Sequence, residues 1–358
     1  MRILVSPLDW GLGHATRCIP IIRHLREKGV EVVIAADGAP LKLLQEQFQG
    51  IEFVTLKGYR VKYSRFLPAS AKVALQIPKI KRAIKREHLE LEKLIKEKRI
   101  DAVISDNRYG LYTDKVPCVI ITHQLNIQAK AGSQLFSNKV LEYIKKFNAC
   151  WIPDNEGEDN LSGNLSHPVP EGVNAKYIGP LSRFGNAAGN KEMKYDLLIL
   201  LSGPEPQRTV LEKKVINQLS ALPYIKALIV QGKPGSIDVK SPHENIDVVP
   251  HLNDISLLEK ILSSKAIICR PGYSTIMDLA IIGGKRAMFI PTPGQTEQEY
   301  LAMRMEALEI AVSVQQKQLA MKDALTKVFL SKGFNYNLYP VTFQTTLDEW
   351  LGSLSPKS

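Results

Sequence analysis

Short apolar segments alternate with amphipathic segments along this chain, and that alternation limits its fold more than any other feature. By length and β-branched content, the strand candidates of the first half are 2–6, 30–36, 51–56, 101–105, 117–122 and 149–152, with one more short strand at 177–178. A second series follows at 195–201, 226–231, 246–249, 265–269, 286–290 and 311–314. Helical patterns lie between strands, for example at 15–28 and 78–99. Strands of nearly continuous apolar character between helices are typical of parallel sheets covered on both faces.

The two series predict two doubly wound α/β domains, an N-terminal one over 1–184 and a C-terminal one over 195–340. A Gly- and Asn-rich stretch at 185–194 is the best linker between them. Residues 341–358 form a helical tail whose packing is open, a return to the N-terminal domain being one option. Ligands of such sheets bind beyond the carboxyl ends of the strands, so we expect the site in strand-to-helix loops facing an interdomain cleft.

Composition excludes several classes of protein. With 358 residues, 44% of them hydrophobic and 23% charged, the chain is neither disordered nor fibrous. No run approaches the roughly 18 apolar residues of a membrane-spanning helix, and the N-terminus lacks the pattern of a secretory signal. Four widely spaced cysteines without a CxxC pair support neither a disulfide framework nor a zinc site. We expect a cytoplasmic protein.

The net charge of +11 is concentrated in one block, Lys57–Arg99. This block holds nine lysines and five arginines against four glutamates, and also an apolar stripe at helical spacing. Clustered like charge repels itself, which favours a surface that meets an anionic membrane over a merely solvated helix. Nucleic acid is the weaker target, because no nucleic-acid-binding motif accompanies the charge.

The first strand leads into a glycine-rich loop, Gly11-Leu12-Gly13-His14-Ala15-Thr16-Arg17, that opens a helix. Glycines let a ligand approach the backbone closely, and a helix N-terminus favours an anion. A dinucleotide motif is a weaker interpretation, since Thr16 stands where the third glycine would be. A neutral imidazole at His14 could accept a proton, which makes it a candidate base; a structural or capping histidine is the alternative.

Polar residues follow two further strands. Thr122-His123-Gln124-Leu125-Asn126 either lines a site or caps the next helix. In Ser202-Gly203-Pro204-Glu205, the Ser202 hydroxyl and the Gly203 amide could hold a phosphate, although Pro204 lacks an amide donor.

The most specific motif is Cys269-Arg270-Pro271-Gly272-Tyr273-Ser274-Thr275-Ile276-Met277-Asp278, a strand end, a glycine turn and a helix start. Amides of residues 272–275 would cradle a diphosphate, and the Asp278 carboxylate one turn later can accept both hydroxyls of a ribose. In the loop after the next strand, Glu297, Gln298 and Glu299 could read sugar hydroxyls. Each feature alone is explained by capping or solvation, but their order at consecutive strand ends favours a binding site.

Residues 269–302 resemble the donor-binding region of family 28 glycosyltransferases, notably the MurG-type peptidoglycan N-acetylglucosaminyltransferases, and more distantly the UDP-glycosyltransferase signature. Gly11–His14 is similar to the glycine-rich loop of that family, and His123–Asn126 to its His-Glu-Gln-Asn element with different middle residues. Residues 178–183 resemble the segment that ends in a diphosphate-binding arginine, here Arg183. The likeness spans most of the chain in consistent order.

This resemblance implies a GT-B fold: two Rossmann-like domains facing across a cleft, with the acceptor in the first and the UDP-sugar in the second. Asp278 then matches a ribose-binding acid, Gln298 a sugar-reading glutamine and Leu252 a backbone contact to uracil. The implied donor-site residues are Arg183, Ser202, Gly203, Leu252, Arg270, Gly272, Tyr273, Ser274, Thr275, Asp278, Glu297 and Gln298. The implied acceptor-site residues are Gly11, Gly13, His123 and Asn126, with His14 as the base. Residues 202–205 depart from the Gly-Gly-Ser loop of the family.

We therefore predict an inverting glycosyltransferase that moves a hexose or N-acetylhexosamine from a UDP-sugar to a hydroxyl acceptor such as a lipid-linked or cell-envelope glycan. His14 would take the acceptor proton, while helix amides with Arg183 and Arg270 would stabilise the departing UDP. No Asp-x-Asp motif calls for a metal, and the UDP-sugar is a co-substrate rather than a cofactor. The basic block would rest on the inner face of the cytoplasmic membrane. Alternatives are a non-hydrolysing UDP-sugar 2-epimerase, a non-catalytic UDP-sugar-binding subunit and, least favoured, a dehydrogenase.

Overall fold

The computed structural model of the chain describes residues 1–60, 76–126, 134–185, 191–233, 241–335 and 342–354. These residues form two compact units. The first contains the described residues up to Arg183 together with 342–354, and the second runs from Phe184 to Asn335. Half of the predicted linker, at 186–190, and part of the basic block, at 61–75, lie outside the described residues.

The first unit is built on a seven-stranded sheet in which every neighbouring pair is parallel. Its strands are β1 (Arg2–Pro7), β2 (Glu31–Ala36), β3 (Glu52–Thr55), β4 (Ala102–Asp106), β5 (Cys118–Ile121), β6 (Ala149–Ile152) and β7 (Ala175–Tyr177). Their order across the sheet is β3-β2-β1-β4-β5-β6-β7. The helices that lie between these strands in the sequence are α1 (Leu12–Glu27), α2 (Gly38–Gln47), α3 (Ile77–Lys98) and α4 (Gln134–Ile144).

The second unit repeats this plan with a six-stranded parallel sheet. Its strands are β8 (Tyr195–Leu200), β9 (Ala227–Val230), β10 (Ile246–Val249), β11 (Ser264–Cys269), β12 (Arg286–Phe289) and β13 (Ala311–Ser313), in the order β10-β9-β8-β11-β12-β13. Its helices are α5 (Gln207–Leu219), α6 (Asp254–Leu262), α7 (Tyr273–Ile282), α8 (Thr296–Ala307) and α9 (Met321–Leu330). The strands of both sheets overlap the segments that the sequence predicts as strands.

The central strands of both sheets are apolar on both faces, as a doubly wound arrangement requires. In β1, Ile3, Leu4 and Val5 are fully buried, and so are Leu197, Leu198 and Ile199 in β8. A strand without a polar face is stable only where helices cover both sides of the sheet. In each sheet the strand order reverses beside the first strand, between β1 and β4 in one and between β8 and β11 in the other. Loops diverge at such a point and leave room for a ligand.

The last helix, α10 (Phe343–Leu354), belongs to the first unit. Trp350 meets Trp151 edge to face, with ring centroids 5.3 Å apart. The Asp348 carboxylate lies 2.7 Å from His24 Nε2 and 2.7 Å from Lys28 Nζ, both near the end of α1. This helix, although it follows the second unit in the sequence, therefore packs on the first.

The four cysteines are buried free thiols. Burial raises the pKa of Cys118 and Cys150 to about 12, which keeps both thiols protonated near neutral pH. Among the helices of the described ranges, none combines the length and the apolar content that crossing a bilayer demands.

Candidate functional site

In the first unit, the site residues are brought together by the register of the two central strands. Pro7 at the end of β1 pairs with Asp106 at the end of β4, so the loop after β1 and the Asp106 carboxyl share one edge of the sheet. The loop turns at Gly11, whose φ of 113° favours glycine, and α1 starts at the next residue. His14 therefore lies in the first turn of α1, close to Asp106.

Four side chains meet at this point. His14 Nδ1 is 2.9 Å from Asp106 Oδ1. The Arg17 guanidinium, one turn further along α1, donates to both Asp106 oxygens through Nε and Nη2. It also places Nη2 2.9 Å from His14 Nδ1 and Nη1 3.4 Å from His123 Nδ1. Asp106 and Arg17 are buried, whereas the His14 side chain keeps 17% of its surface exposed.

The charge of Asp106 is strongly stabilised. Burial alone raises the pKa of this carboxyl, but the charges and hydrogen bonds of Arg17 and His14 outweigh burial and lower the pKa to about 2. Asp106 is therefore an ionised acceptor at neutral pH. His14 Nδ1 therefore faces an ionised carboxylate and a guanidinium donor, each at 2.9 Å. When the His14 proton points to the carboxylate, the lone pair lies on Nε2, which is the arrangement of a general base.

A second group of contacts shapes the loop that follows β3. The Asp9 carboxylate accepts from the amides of Tyr59 and Arg60, each at 2.9 Å, and the Arg60 guanidinium donates to Asp37. A cavity of about 180 Å³ lies here, lined by Asp9, Gly11, Asp37, Gly38, Ala39, Pro40 and Arg60. Gly11 of the predicted acceptor site therefore lines a small cavity that also has charged side chains in its wall.

The other predicted acceptor residues have structural contacts. The side-chain amide of Asn126 donates to Pro168 O at 2.8 Å, and its backbone amide donates to Leu165 O. Gly13 O accepts the Thr16 hydroxyl at 3.0 Å within the first turn of α1. Both contacts fix the loops that surround His14 and His123.

In the second unit, the predicted diphosphate motif has the local structure that the sequence indicates. Gly272 precedes α7 in an extended conformation, and the first intrahelical bond runs from Ile276 N to Gly272 O. The amides of Tyr273, Ser274 and Thr275 therefore lie in the first turn, where N–H groups project along the helix axis and attract anions. Asp278 is buried in the second turn, with 7% of its surface exposed.

The Arg270 guanidinium is surrounded by oxygens of the protein, whereas an arginine that binds phosphate directs its donors to the ligand. Its guanidinium is buried, Nη1 donates to Ile290 O and Pro291 O, and Nη2 donates to Gln207 O and Gln316 Oε1. Burial lowers the pKa of Arg270 to about 10, because these partners are dipoles rather than charges. The side chain ties the loops after β8, β11 and β12 together, and its contact with a donor stays a prediction.

Two predicted sugar-reading side chains support their own loop. Gln298 Oε1 accepts from the amide of Thr292 at 2.8 Å, and Glu299 Oε1 accepts from the amide of Gly294 at 3.0 Å. Glu297 lies half-buried beside them in the first turn of α8. These contacts set the shape of the loop after β12.

The remaining donor-site predictions map to two other strand ends. Ser202 and Gly203 are exposed after β8, and Gly203 has a φ of 96°. Leu252 is half-buried after β10, next to Asn253, whose side chain caps α6 by accepting from Ser256 N at 2.9 Å. Arg183 is the last residue of the first unit before the chain enters the second.

Known proteins similar to this chain are glycosyltransferases. Residues 208–339 match the model of the "Glycosyltransferase family 28 C-terminal domain". An uncharacterized glycosyltransferase of Methanosarcina acetivorans is 24% identical over 343 residues, covering 86% of this chain and 83% of the relative. A counterpart from Methanosarcina mazei is 23% identical with the same coverage.

Solved structures extend the likeness to the whole chain. Spinosyn rhamnosyltransferase SpnG complexed with thymidine diphosphate has a TM-score of 0.62 at 14% identity, covering 99% of this chain and 96% of that one. Acinetobacter baumannii MurG has a TM-score of 0.57 at 16% identity, covering 98% and 99%. The GT-B fold expected from the family 28 resemblance is therefore confirmed.

The family 28 motifs do not lead to two of the three residues grouped with His14. Arg17 ends the glycine-rich loop without a role implied for it, and Asp106 belongs to none of the motifs. A signal for both exists in the sequence, since Arg17 follows His14 by three positions on a helix and Asp106 ends an apolar strand. Within the described ranges, His, Cys, Asp and Glu side chains form no group of three suited to a metal.

Proposed function

We propose that this protein is an inverting glycosyltransferase that moves a hexose or N-acetylhexosamine from a UDP-sugar to a hydroxyl group. The observation that carries the proposal is the 2.9 Å contact between His14 Nδ1 and Asp106 Oδ1 at the strand-order reversal of a GT-B protein. In this proposal the Asp106 carboxylate holds the His14 proton on Nδ1 and leaves Nε2 to act as the base.

In the proposed reaction, His14 Nε2 takes the proton of the acceptor hydroxyl while the oxygen attacks the anomeric carbon. The bond from that carbon to the diphosphate breaks, and UDP leaves with the bonding electrons. Attack opposite the leaving group in one step inverts the anomeric configuration. Asp106 stays ionised throughout and stabilises the imidazolium that forms.

The proposal assigns the donor to the second unit. The first-turn amides of α7 and Arg183 would hold the diphosphate, and the buried Asp278 carboxylate would hold the ribose. The neighbour SpnG, complexed with thymidine diphosphate, supports a nucleoside diphosphate sugar as the donor class. Because the proposed charge compensation comes from protein groups, we expect transfer to persist in a chelator.

Two measurements test this function. A thermal-shift panel of UDP, TDP, GDP, ADP and NAD should give the largest stabilisation with UDP, and an equal response to NAD would contradict the donor class. Incubation with UDP-N-acetylglucosamine, with water as the only acceptor, should slowly release free sugar whose first-formed anomer is inverted. Formation of the 2-epimer of the UDP-sugar instead would identify an epimerase.

We also propose that the first unit rests on an anionic membrane and presents a lipid-linked or cell-envelope acceptor there. The first turns of α3 carry five cations, Lys79, Lys81, Arg82, Lys85 and Arg86, and no acid lies in its first turn. Positive charge near a helix N-terminus opposes the helix dipole and neighbouring like charges repel each other, and anionic headgroups would offset both costs. The partly exposed face also includes Leu89, which is 62% exposed.

Lys81, Arg82 and Lys85 are the best positions for the membrane test, because Lys79 and Arg86 donate to backbone carbonyls of the loop after β3. Replacing Lys81, Arg82 and Lys85 together by Gln should abolish cosedimentation with phosphatidylglycerol vesicles at ~0.1 M salt, where surface charges still attract each other over short distances. Replacing Lys93 and Lys96 is the matched control, since they lie on the same helix near exposed glutamates. Equal binding by both variants would contradict membrane attachment through this helix.

A further inference from the structure

The side chain of Thr292, in the loop after β12, is buried without a hydrogen-bond partner for its hydroxyl. Thr292 is 3% exposed, and Oγ1 has no donor or acceptor within reach in the described part of the chain. Its backbone is fixed on both sides, because N donates to Gln298 Oε1 at 2.8 Å and O accepts from Gln295 N at 3.0 Å. A hydroxyl that loses water on folding without gaining a partner destabilises a protein, and valine has the same shape without that cost. Such a group calls for a ligand or an ordered water, and its surroundings distinguish the two.

Strand pairing places Thr292 at the same level as two glycines of the predicted donor site. The last residues of β8, β11 and β12 form one paired row across the sheet, in which Leu200 pairs with Cys269 and Cys269 with Phe289. Gly203, Gly272 and Thr292 each lie three residues beyond this row. Because the three strands are parallel, their loops leave the sheet at one edge and reach this level together.

Both glycines leave space at this level. A Cβ on Gly203 would lie 3.5 Å from Thr292 Oγ1, and no other described atom beyond the adjacent residues comes within 4 Å of it. A Cβ on Gly272 would likewise meet only Thr275 Oγ1, at 3.9 Å. The space beside Gly203 is therefore the side from which a ligand oxygen reaches the buried Thr292 hydroxyl.

The strand order shows what this ligand is. Since β11 lies between β8 and β12, the approach of Thr292 to Gly203 spans the end of β11, where Gly272 leads into the first turn of α7. The amides of that turn attract anions. A phosphate oxygen therefore suits the hydroxyl better than a water molecule does, because an ionised acceptor forms the stronger hydrogen bond.

We propose that the Thr292 hydroxyl binds the diphosphate of the donor by donating a hydrogen bond to one of its oxygens. The diphosphate is then held from two neighbouring strands, by the amides after β11 and by a hydroxyl after β12. This inference rests on the proposed function, which supplies the donor and its site, and it adds a binding residue that the family 28 motifs do not include.

Replacing Thr292 by valine separates a hydroxyl that binds a ligand from one that supports the fold. We expect Thr292→Val to bind UDP about 10-fold or more weakly than the wild-type full-length protein in isothermal titration calorimetry. Its thermal midpoint without ligand should be no lower than that of the wild type, because an unpaired buried hydroxyl is replaced by a methyl group. Thr292→Ser keeps the hydroxyl and loses a buried methyl group, so it should bind UDP nearly as the wild type does and unfold at a lower temperature.

Thr326→Val is the matched control, because it makes the same chemical change in the same unit. The Thr326 side chain is exposed on α9, and its hydroxyl donates to Lys322 O at 3.4 Å. We expect this variant to bind UDP with wild-type affinity.

Three results would overturn the inference. Unchanged affinity of Thr292→Val for UDP would mean that the hydroxyl does not touch the nucleotide. A thermal midpoint of Thr292→Val clearly below that of the wild type would mean that the hydroxyl is paired in the free protein, for example with an ordered water. Weaker binding of UDP-N-acetylglucosamine with unchanged binding of UDP would place the contact on the sugar. A wild-type protein that does not bind UDP would contradict the proposed function as well, so the two failures are distinguishable.

Discussion

Replacing Asp106 by asparagine should destabilise the first unit by an amount that depends on pH in a defined direction. The pKa of this buried carboxyl falls from 3.8 to about 2 on folding, because Arg17 and His14 outweigh the cost of burial. A carboxyl with a lowered folded pKa contributes stability that is complete above its unfolded pKa. That contribution is lost as the pH falls from about 4 through about 2.

The shift sets the magnitude. At about 1.36 kcal/mol per pKa unit, the pH-dependent part is about 2 kcal/mol at neutral pH. The asparagine side chain would also leave the Arg17 charge buried without a counter-ion, and breaking a buried pair costs about 3–5 kcal/mol in total. We therefore expect Asp106→Asn to be about 3–5 kcal/mol less stable than wild type near pH 7. The difference in unfolding free energy between wild type and Asp106→Asn should narrow by about 1 kcal/mol at about pH 3 and by about 2 kcal/mol at about pH 2.

The tryptophans make the first unit visible by itself. Trp10, Trp151 and Trp350 are the three tryptophans of the chain, and all belong to this unit. Urea unfolding followed by tryptophan fluorescence at neutral pH and below therefore measures the relevant stability. Asp37→Asn is the control, since the Arg60 partner of Asp37 is 62% exposed and such pairs contribute about 0–1 kcal/mol.

The reasoning is refuted if the two variants lose equal stability at neutral pH. It is also refuted if the difference between wild type and Asp106→Asn stays constant down to about pH 2. The first outcome would mean that Arg17 does not hold a buried charge in place. The second would mean that the ionised form of Asp106 is not favoured by folding.

Three further changes test other parts of the fold. Gly232→Ala would place a Cβ 2.4 Å from Leu201 O at a residue whose φ is 66°, so it should lower the free energy of unfolding of the second unit by about 2 kcal/mol or more. Gly284→Ala, which has open space around it, should lower that free energy by about 1 kcal/mol in the same thermal unfolding experiment. Arg270→Met leaves four oxygens without their donor and should lower the stability of the second unit by about 3 kcal/mol, and Arg270→Lys should have an intermediate effect. Equal stability of both variants and the wild type in calorimetry would contradict the role of Arg270 in holding these loops together. Trp350→Ala removes the ring that packs on Trp151 and should cost about 1–2 kcal/mol in urea unfolding, whereas Ser353→Ala on the same helix should have no effect.

The fold could be predicted because its signal is local. A parallel strand buried on both faces needs an unbroken apolar run, and segments such as Leu197–Leu201 provide it within a few residues. The Gly272 turn before α7 is equally local, since a glycine between a strand and a helix is enough to indicate it. Strand order, by contrast, depends on which distant segments pair, and no pattern within one segment encodes it.

The partners of His14 could not be predicted because they depend on register between distant strands. Asp106 is 92 residues from His14, and only the pairing of β4 with β1 makes them neighbours. In the sequence Asp106 is simply the polar end of an apolar run. Arg17 has the right helical spacing, but without Asp106 it has no visible reason to turn inward.

Charged residues at strand ends are ambiguous for a physical reason. The loops there must be held by hydrogen bonds whether or not a ligand binds, and an arginine or glutamine serves either purpose. Burial and partner type separate the two uses. Arg270 is buried and directs Nη1 and Nη2 to oxygens of three neighbouring segments, whereas the His14 side chain is partly exposed and contacts an ionised carboxylate. A loop clamp needs acceptors from its own protein, and a base needs an exposed lone pair, so the same sequence position can be assigned only after its surroundings are known.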